Sequence, residues 1–350
     1  MGKRILIIKP SSLGDIANAM AVVPQLRLLF PDSTLEWLAN EEYAGLVEHA
    51  GVDRVVTFDR GSWRRMSGVA QGVRSFTRLC WFLRKRQYDI VLELQGLLRS
   101  GWFAWVTRAP VRIGFADARE CSSFFYTERV IISNPETHAV DRYLATLKKL
   151  GEVQMPGYWR WSGLDECTRQ LHERLGSRKG DYFVLVPGTR WETKKWPEPS
   201  HARLAAELHR RYGSTVYISG TRDEKALVES VAADACQQFG AEGGIVPLAG
   251  VLNLKELAVF CRDSRMVIAG DTGPMHLTVA TGGCVLALMG PTLRHQHGPY
   301  NQPDNVLSVD MPCVPCRKKH CHDGSTPCMS KITVEMVLGT IETLLDKPGT

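Results

Sequence analysis

The sequence predicts an α/β protein built as two parallel-sheet domains in tandem, and three observations carry that expectation. The chain has 350 residues, too many for one ordinary α/β core and about right for two of roughly 150 residues each. Its first part alternates short β-branched runs with longer segments of helical period, the mark of βαβ units and a parallel sheet. After a polar stretch near the middle the same alternation starts again. A composition of 44% hydrophobic and 23% charged residues fits a folded globular chain, not a disordered one.

In the first domain, residues 1–155, Arg4 to Ile8 reads as a strand, Ile16 to Leu29 as a helix, Thr34 to Ala39 as a strand and Glu42 to His49 as a helix. Asp53 to Phe58 follows as a strand, Arg64 to Arg86 as a basic helix and Asp89 to Leu94 as a strand. The run Arg129 to Ile132 and a helix from Thr137 to Leu150 complete the unit. Residues 156–179, with PGYWRWSG and a polar helix, read as a linker. The second domain, 180–330, opens on the strand Tyr182 to Val186, the helix Pro199 to Tyr212, the strand Thr215 to Ser219 and the helix Glu224 to Phe239. It continues with the strand Gly244 to Leu248, a helical turn from Leu254 to Cys261, the strand Arg265 to Ala269, the helix Pro274 to Ala280 and the strand Cys284 to Met289. Ligands of such sheets sit beyond the carboxyl ends of the strands, and two facing domains make the cleft between them the expected site.

Lys and Arg number 43 against 37 Asp and Glu, an excess of +6. That balance suits a phosphate-bearing or anionic-membrane partner and does not mark a nucleic-acid binder. The opening MGKRILIIKP has an apolar run that soon meets Lys9 and Pro10, so it reads as a strand and not as a signal peptide. No apolar stretch is long enough to span a bilayer. A cytoplasmic protein, peripheral on the cytoplasmic face of the inner membrane at most, is expected. The basic helix and its companions Trp81, Phe82, Trp102, Phe103 and Trp105 are candidates for contact with the anionic leaflet. Oligomeric state leaves no trace in the sequence.

Three loops that follow strands could carry chemistry. In KPSSLGDI, Asp15 is either the cap of the next helix or a general base for an acceptor hydroxyl, two roles that compete because a helix start lowers a carboxyl pKa. In VPGTRWETKKWPE, Thr189, Arg190, Lys194 and Lys195 gather a hydroxyl and three cations suited to a diphosphate, unless the lysines are simply solvated. In AGDTGPMHLTVATGG, Asp271, Thr272, Gly273 and His276 surround the start of a helix, an anion site with two titratable side chains. Glu224 ends an intervening strand, placed to accept hydrogen bonds from a ribose. No GxGxxG or Walker A pattern is present, which disfavours a nicotinamide enzyme and gives no support to ATP hydrolysis.

KPSSLGDI, LQGLLRSG, RIGF, HAVDRYLATLKKLG, PGTRWETKKWPE and GDTGPMHLTVATG, in that order, resemble the ADP-heptose:lipopolysaccharide heptosyltransferases of glycosyltransferase family 9. The resemblance implies a GT-B fold, two Rossmann-like domains with parallel sheets facing across a cleft, and a C-terminal helix (331–350) that packs back toward the first domain. It implies inverting transfer of L-glycero-D-manno-heptose from ADP-heptose to the lipopolysaccharide inner core, with no cofactor or catalytic metal. Asp15 then matches the base, and Ser11, Ser12 and Arg99 are acceptor contacts. Thr189, Lys194, Lys195, Glu224, Asp271, Thr272, Gly273 and His276 become donor contacts. Near the end, Cys313, Cys316, Cys321 and Cys328 form C-x2-C-x4-C-x6-C, with free thiols, structural zinc and disulfides all open to it. This segment points to the heptosyltransferase II type, which adds the second heptose. Types I and III, a transferase or epimerase acting on another nucleotide sugar, and a zinc-knuckle RNA-binding or scaffold protein are the alternatives.

Overall fold

The computed structural model describes residues 2–58, 69–153, 161, 163–322 and 324–346. It divides into two units, Met1–Gly163 and Leu164–Thr350. The first contains β1 (Arg4–Ile8), β2 (Thr34–Asn40), β3 (Arg54–Phe58), β4 (Ile90–Glu93), β5 (Val111–Phe115) and β6 (Glu128–Val130). The second contains β7 (Tyr182–Val186), β8 (Thr215–Gly220), β9 (Ile245–Ala249), β10 (Met266–Gly270), β11 (Val285–Leu288) and β12 (Val306–Leu307). Each set forms one six-stranded sheet, ordered β3-β2-β1-β4-β5-β6 and β12-β11-β10-β7-β8-β9. Every neighbouring pair is parallel. Counted from the first strand of each unit, both sheets have the doubly wound order 3-2-1-4-5-6.

Burial follows from that order. Central strands are covered on both faces, so Ile5–Ile8 of β1 and YFVLV in β7 are continuously apolar. The edge strand β3 instead alternates exposed and buried positions. Leu6, Ile8, Leu38, Val91 and Phe103 belong to the first core, and Phe183, Leu185, Ile218, Ile268 and Leu288 to the second. Gly114 of β5 has no room for a side chain, because a Cβ there would stand 2.3 Å from the ring of Tyr126.

Several expected elements take a different form. The single helix expected from Ile16 to Leu29 is two, Leu13–Ala19 and Val22–Leu29. Pro24 explains the break, since it has no N–H for the Met20 carbonyl and its ring crowds that group. Glu42 to His49 is a short helix, Ala44–Val47, between two 3-10 turns. The helix Leu98–Thr107 and the strands β5 and β12 lie where no element was expected. The basic helix runs Val69–Lys85, and the expected residues 64–68 lie outside the described residues, as do 156–160 and 162 of the expected linker. The rest of that linker is largely the helix Asp165–Leu175, which belongs to the second unit. The terminal helix Val334–Leu345, expected to pack toward the first domain, has its buried face of Val337, Leu338, Ile341 and Leu344 in the core of the second unit. There the Trp196 indole donates to the Ile332 carbonyl at 2.8 Å, just ahead of the helix.

Candidate functional site

In a doubly wound sheet the order reverses beside the first strand, and the crevice at that point receives ligands. The first unit has its reversal between β1 and β4. Lys9 and Pro10 leave β1 there, and the helix Leu13–Ala19 begins three residues later. Ser12 is its N-cap and Asp15 occupies the third helical position, so the carboxylate is not the cap itself. It reaches back to accept from the Ser12 N–H at 3.2 Å and the Ser12 hydroxyl at 2.8 Å. Its other oxygen accepts from the Tyr143 hydroxyl at 3.2 Å and lies 3.7 Å from the Lys9 ammonium. Lys9 is buried; it donates to the Leu94 carbonyl at 3.2 Å and sits 5.1 Å from the centre of the Tyr143 ring.

These contacts set the charge states. Burial pushes the Asp15 carboxyl up, but Lys9, the two Ser12 donors and Tyr143 together outweigh it and hold the group below its ordinary value. The Tyr143 hydroxyl is driven the other way, by burial and by the Asp15 charge. Asp15 is nevertheless 43% exposed, so an ionised carboxylate faces solvent at the end of β1. Ser11, next to the Ser12 that Asp15 holds, lines a pocket together with Pro10, Gln95, Arg99, Ser100 and Phe103, among others. The turn that carries Gln95 is fixed by Glu93, fully buried, which accepts from the Gln95 and Gly96 N–H groups and from Tyr126. Burial pushes the Glu93 carboxyl up.

The second unit reverses between β7 and β10. Lys194 ends a 3-10 turn after β7, and Asp271 follows β10. The Lys194 ammonium is 2.7 Å from one Asp271 oxygen, which also accepts from the Thr292 hydroxyl at 2.9 Å. His276 Nε2 lies 3.6 Å from the other oxygen. Burial raises the Asp271 carboxyl, but His276 and then Lys194 outweigh it and hold the group far below the carboxylate range. Thr272 caps the helix Gly273–Thr281, whose first-turn N–H groups have no partner within the helix and can meet an anion. Thr189 closes a local turn with Trp191, and the Trp191 ring lies 4.5 Å beneath Lys194.

Glu224 accepts from the Thr221 N–H and hydroxyl, and its free end presses on the loop after β7. A Cβ on Gly188 would stand 2.0 Å from its Oε1, so only glycine admits the carboxylate there. Lys194, Asp271, Thr272, Gly273 and His276 therefore form one cluster, with Thr189 on the loop after β7 and Glu224, which follows β8, packed against that loop. Lys195 is exposed. Sequence reasoning missed Lys9 and Tyr143, although both lie inside motifs it quoted. It also missed Thr292, which no motif flagged, and His297, whose ring burial pushes down while Asp271 pulls it up.

None of the four C-terminal cysteines is in a disulfide; Cys313 is exposed and Cys328 buried. Burial raises the Cys328 thiol, and the neighbouring Cys316, Cys313 and Cys321 add to it. Among the described residues no group of three or more His, Cys, Asp or Glu side chains is arranged to hold a metal ion, so the zinc expectation rests on spacing alone. The segment does brace the turn Glu192–Lys194: the Lys318 carbonyl accepts from the Thr193 hydroxyl at 2.6 Å, and His320 lies 3.1 Å from Glu192.

The family model described as glycosyltransferase family 9 (heptosyltransferase) matches residues 76–326. Lipopolysaccharide heptosyltransferase 1 of Pseudomonas aeruginosa is 28% identical, over 99% of this chain and 99% of its own. The structure of E. coli ADP-heptose lipopolysaccharide heptosyltransferase II superposes with a TM-score of 0.79 at 18% identity, over 98% of each chain. That of E. coli heptosyltransferase WaaC with ADP-2-deoxy-2-fluoro heptose does so with a TM-score of 0.74 at 25% identity, over 97% of this chain and 99% of that one. With two Rossmann-like units of the kind that make up a GT-B fold and a family match over most of its length, the chain belongs to glycosyltransferase family 9, the heptosyltransferases, and is a glycosyltransferase.

Proposed function

We propose that the protein transfers L-glycero-D-manno-heptose from ADP-heptose to the lipopolysaccharide inner core by a single inverting displacement. The observation that carries this reading is Asp15, an ionised and half-exposed carboxylate bonded to Ser12, whose neighbour Ser11 lines a pocket with Arg99. As the acceptor hydroxyl attacks, its proton passes to Asp15 and its oxygen bonds to the anomeric carbon of the donor. The bond from that carbon to the β-phosphate oxygen breaks, and its electron pair leaves with ADP. The lowered pKa makes Asp15 a weak base, suited to accepting the proton only as the new bond forms.

In the second unit the first-turn N–H groups of Gly273–Thr281, Lys194 and the Thr189 hydroxyl meet the diphosphate as charge grows on it. Asp271 keeps Lys194 and His276 in place, and Glu224 is set to accept from a ribose hydroxyl. The E. coli enzyme with bound fluorinated ADP-heptose supports an ADP-sugar donor.

Two readings concern which heptose is added. The cysteine-rich segment favours the second. Identity favours the first, at 28% to a heptosyltransferase 1 against 22% to a heptosyltransferase 2. Incubating the protein and ADP-heptose with heptose-free and with one-heptose acceptors, and following ADP release and product mass, separates them. Product on the heptose-free acceptor alone means the first heptose, and product on the one-heptose acceptor alone means the second. No product on either sinks the proposal.

A further inference from the structure

No helix among the described residues is long and apolar enough to cross a membrane, so any membrane attachment of these residues falls to the surface. One face of the first unit is built for it. On the helix Val69–Lys85, Arg74, Arg78, Trp81 and Lys85 are all exposed. Their spacing of four, three and four residues sets them along a single stripe. On Leu98–Thr107, the exposed residues Leu98, Trp102 and Trp105 form a second stripe by the same spacing, and Trp102 reaches Cys80 of the first helix.

The two stripes differ in chemistry. Trp81 is 63% exposed and has Lys85 4.8 Å above its ring. The Trp102 and Trp105 rings lie 5.0 Å apart, and both approach Phe125. Next to it Phe124 is 77% exposed. From Val69 to Tyr88 the sequence holds five cations and no carboxylate, and Arg108 adds its charge close to Arg84. Glu120, which accepts from the Leu98 N–H, is the acidic group at the edge of this face.

We propose that the outer face of the helices Val69–Lys85 and Leu98–Thr107 is a docking surface for an anionic lipid bilayer. Large exposed indoles are out of place on a water-facing surface and suit the headgroup region. The carboxylate-free basic stripe beside them supplies the charge complement to anionic lipid. A protein partner would need its own acidic surface to match, whereas a bilayer takes indoles and cations together. The helix Leu98–Thr107 also links the face to the pocket: it turns Trp102 and Trp105 outward while Arg99, Ser100 and Phe103 line the pocket. Docking therefore brings that pocket to the lipid surface. This consequence, though not the docking itself, rests on the lipopolysaccharide reading above.

The test is co-sedimentation of the full chain with vesicles of phosphatidylcholine alone and of equal parts phosphatidylcholine and phosphatidylglycerol, without donor or acceptor. Binding to the anionic vesicles alone, weakening as salt rises, is expected. The triple variant Arg74→Gln, Arg78→Gln, Lys85→Gln weakens it roughly 100-fold, and Trp102→Ala with Trp105→Ala by roughly tenfold or more. Circular dichroism confirms that both variants fold, and both retain wild-type turnover on a water-soluble, delipidated acceptor. Failure of the wild type to bind anionic vesicles at low salt overturns the proposal. So do variants that bind as the wild type does, or a self-association that both variants abolish with no vesicle binding. Loss of heptosyl transfer with vesicle binding intact would strike the transferase reading alone.

Discussion

The two units share a strand order, and each places a lysine–aspartate pair at its topological reversal, yet the pairs are built for different work. Lys194 and Asp271 stand 2.7 Å apart, 14% and 9% exposed, with Thr292 and His276 closing the remaining directions. Lys9 and Asp15 stand 3.7 Å apart, and while the lysine is buried the carboxylate is 43% exposed. A carboxylate locked on every side holds a loop. One held from behind and open in front can accept a proton. The same residue types at equivalent points thus give a closed ion pair in one unit and an open one in the other, and it is the open carboxylate that the proposed mechanism uses as its base.

The largest effect that tests this contrast is on stability. Asp271→Asn leaves the buried Lys194 ammonium without its counter-charge and costs about 3 kcal/mol, which is roughly 10 °C in Tm for a domain of this size. Asp15→Asn costs less, because the buried Lys9 left behind keeps the Leu94 carbonyl at 3.2 Å and the charge of Glu93 nearby. Thermal unfolding of the two variants side by side checks it, and equal losses would erase the distinction between lock and base.

A smaller effect concerns pH. The folded Asp15 carboxyl titrates below its unfolded value of about 3.9, so the stability it contributes is present above that pH and is lost as pH falls through the folded pKa. Lys9 is the strongest of the groups opposing burial there. Lys9→Met therefore moves the acid limb of the kcat/KM profile upward and shrinks the acid-dependent part of the stability. A limb that stays in place would show that Lys9 does not set the charge of Asp15. Smaller still, Tyr143→Phe removes one donor to Asp15 at 3.2 Å and shifts the same limb upward by less, with a stability loss of about 1 kcal/mol.

Much of this was legible in the sequence, and the failures have physical causes. The central strands announced themselves because burial on both faces demands unbroken apolar runs, as in ILII of β1 and YFVLV of β7. β5 did not, because VRIGF carries a glycine that makes way for Tyr126 and an arginine at its second position. The cluster around Asp271 was largely readable, since Asp271, Thr272, Gly273 and His276 follow one strand in one motif. Lys194 could be told from Lys195 only once the turn Glu192–Lys194 aimed one inward and left the other exposed. Thr292 meets Asp271 across 21 residues of chain, a contact no local pattern reports. Lys9 looked like the end of a strand, and its burial beneath Tyr143 is a tertiary fact.

The most direct test of the central claim is to measure ADP-heptose affinity and kcat together for the wild type and Asp15→Asn. If Asp15 is the open base, donor Kd stays at the wild-type value and kcat falls by roughly 10²- to 10⁴-fold. A variant that turns over like the wild type, or one that loses donor affinity in step with its rate, would contradict the account.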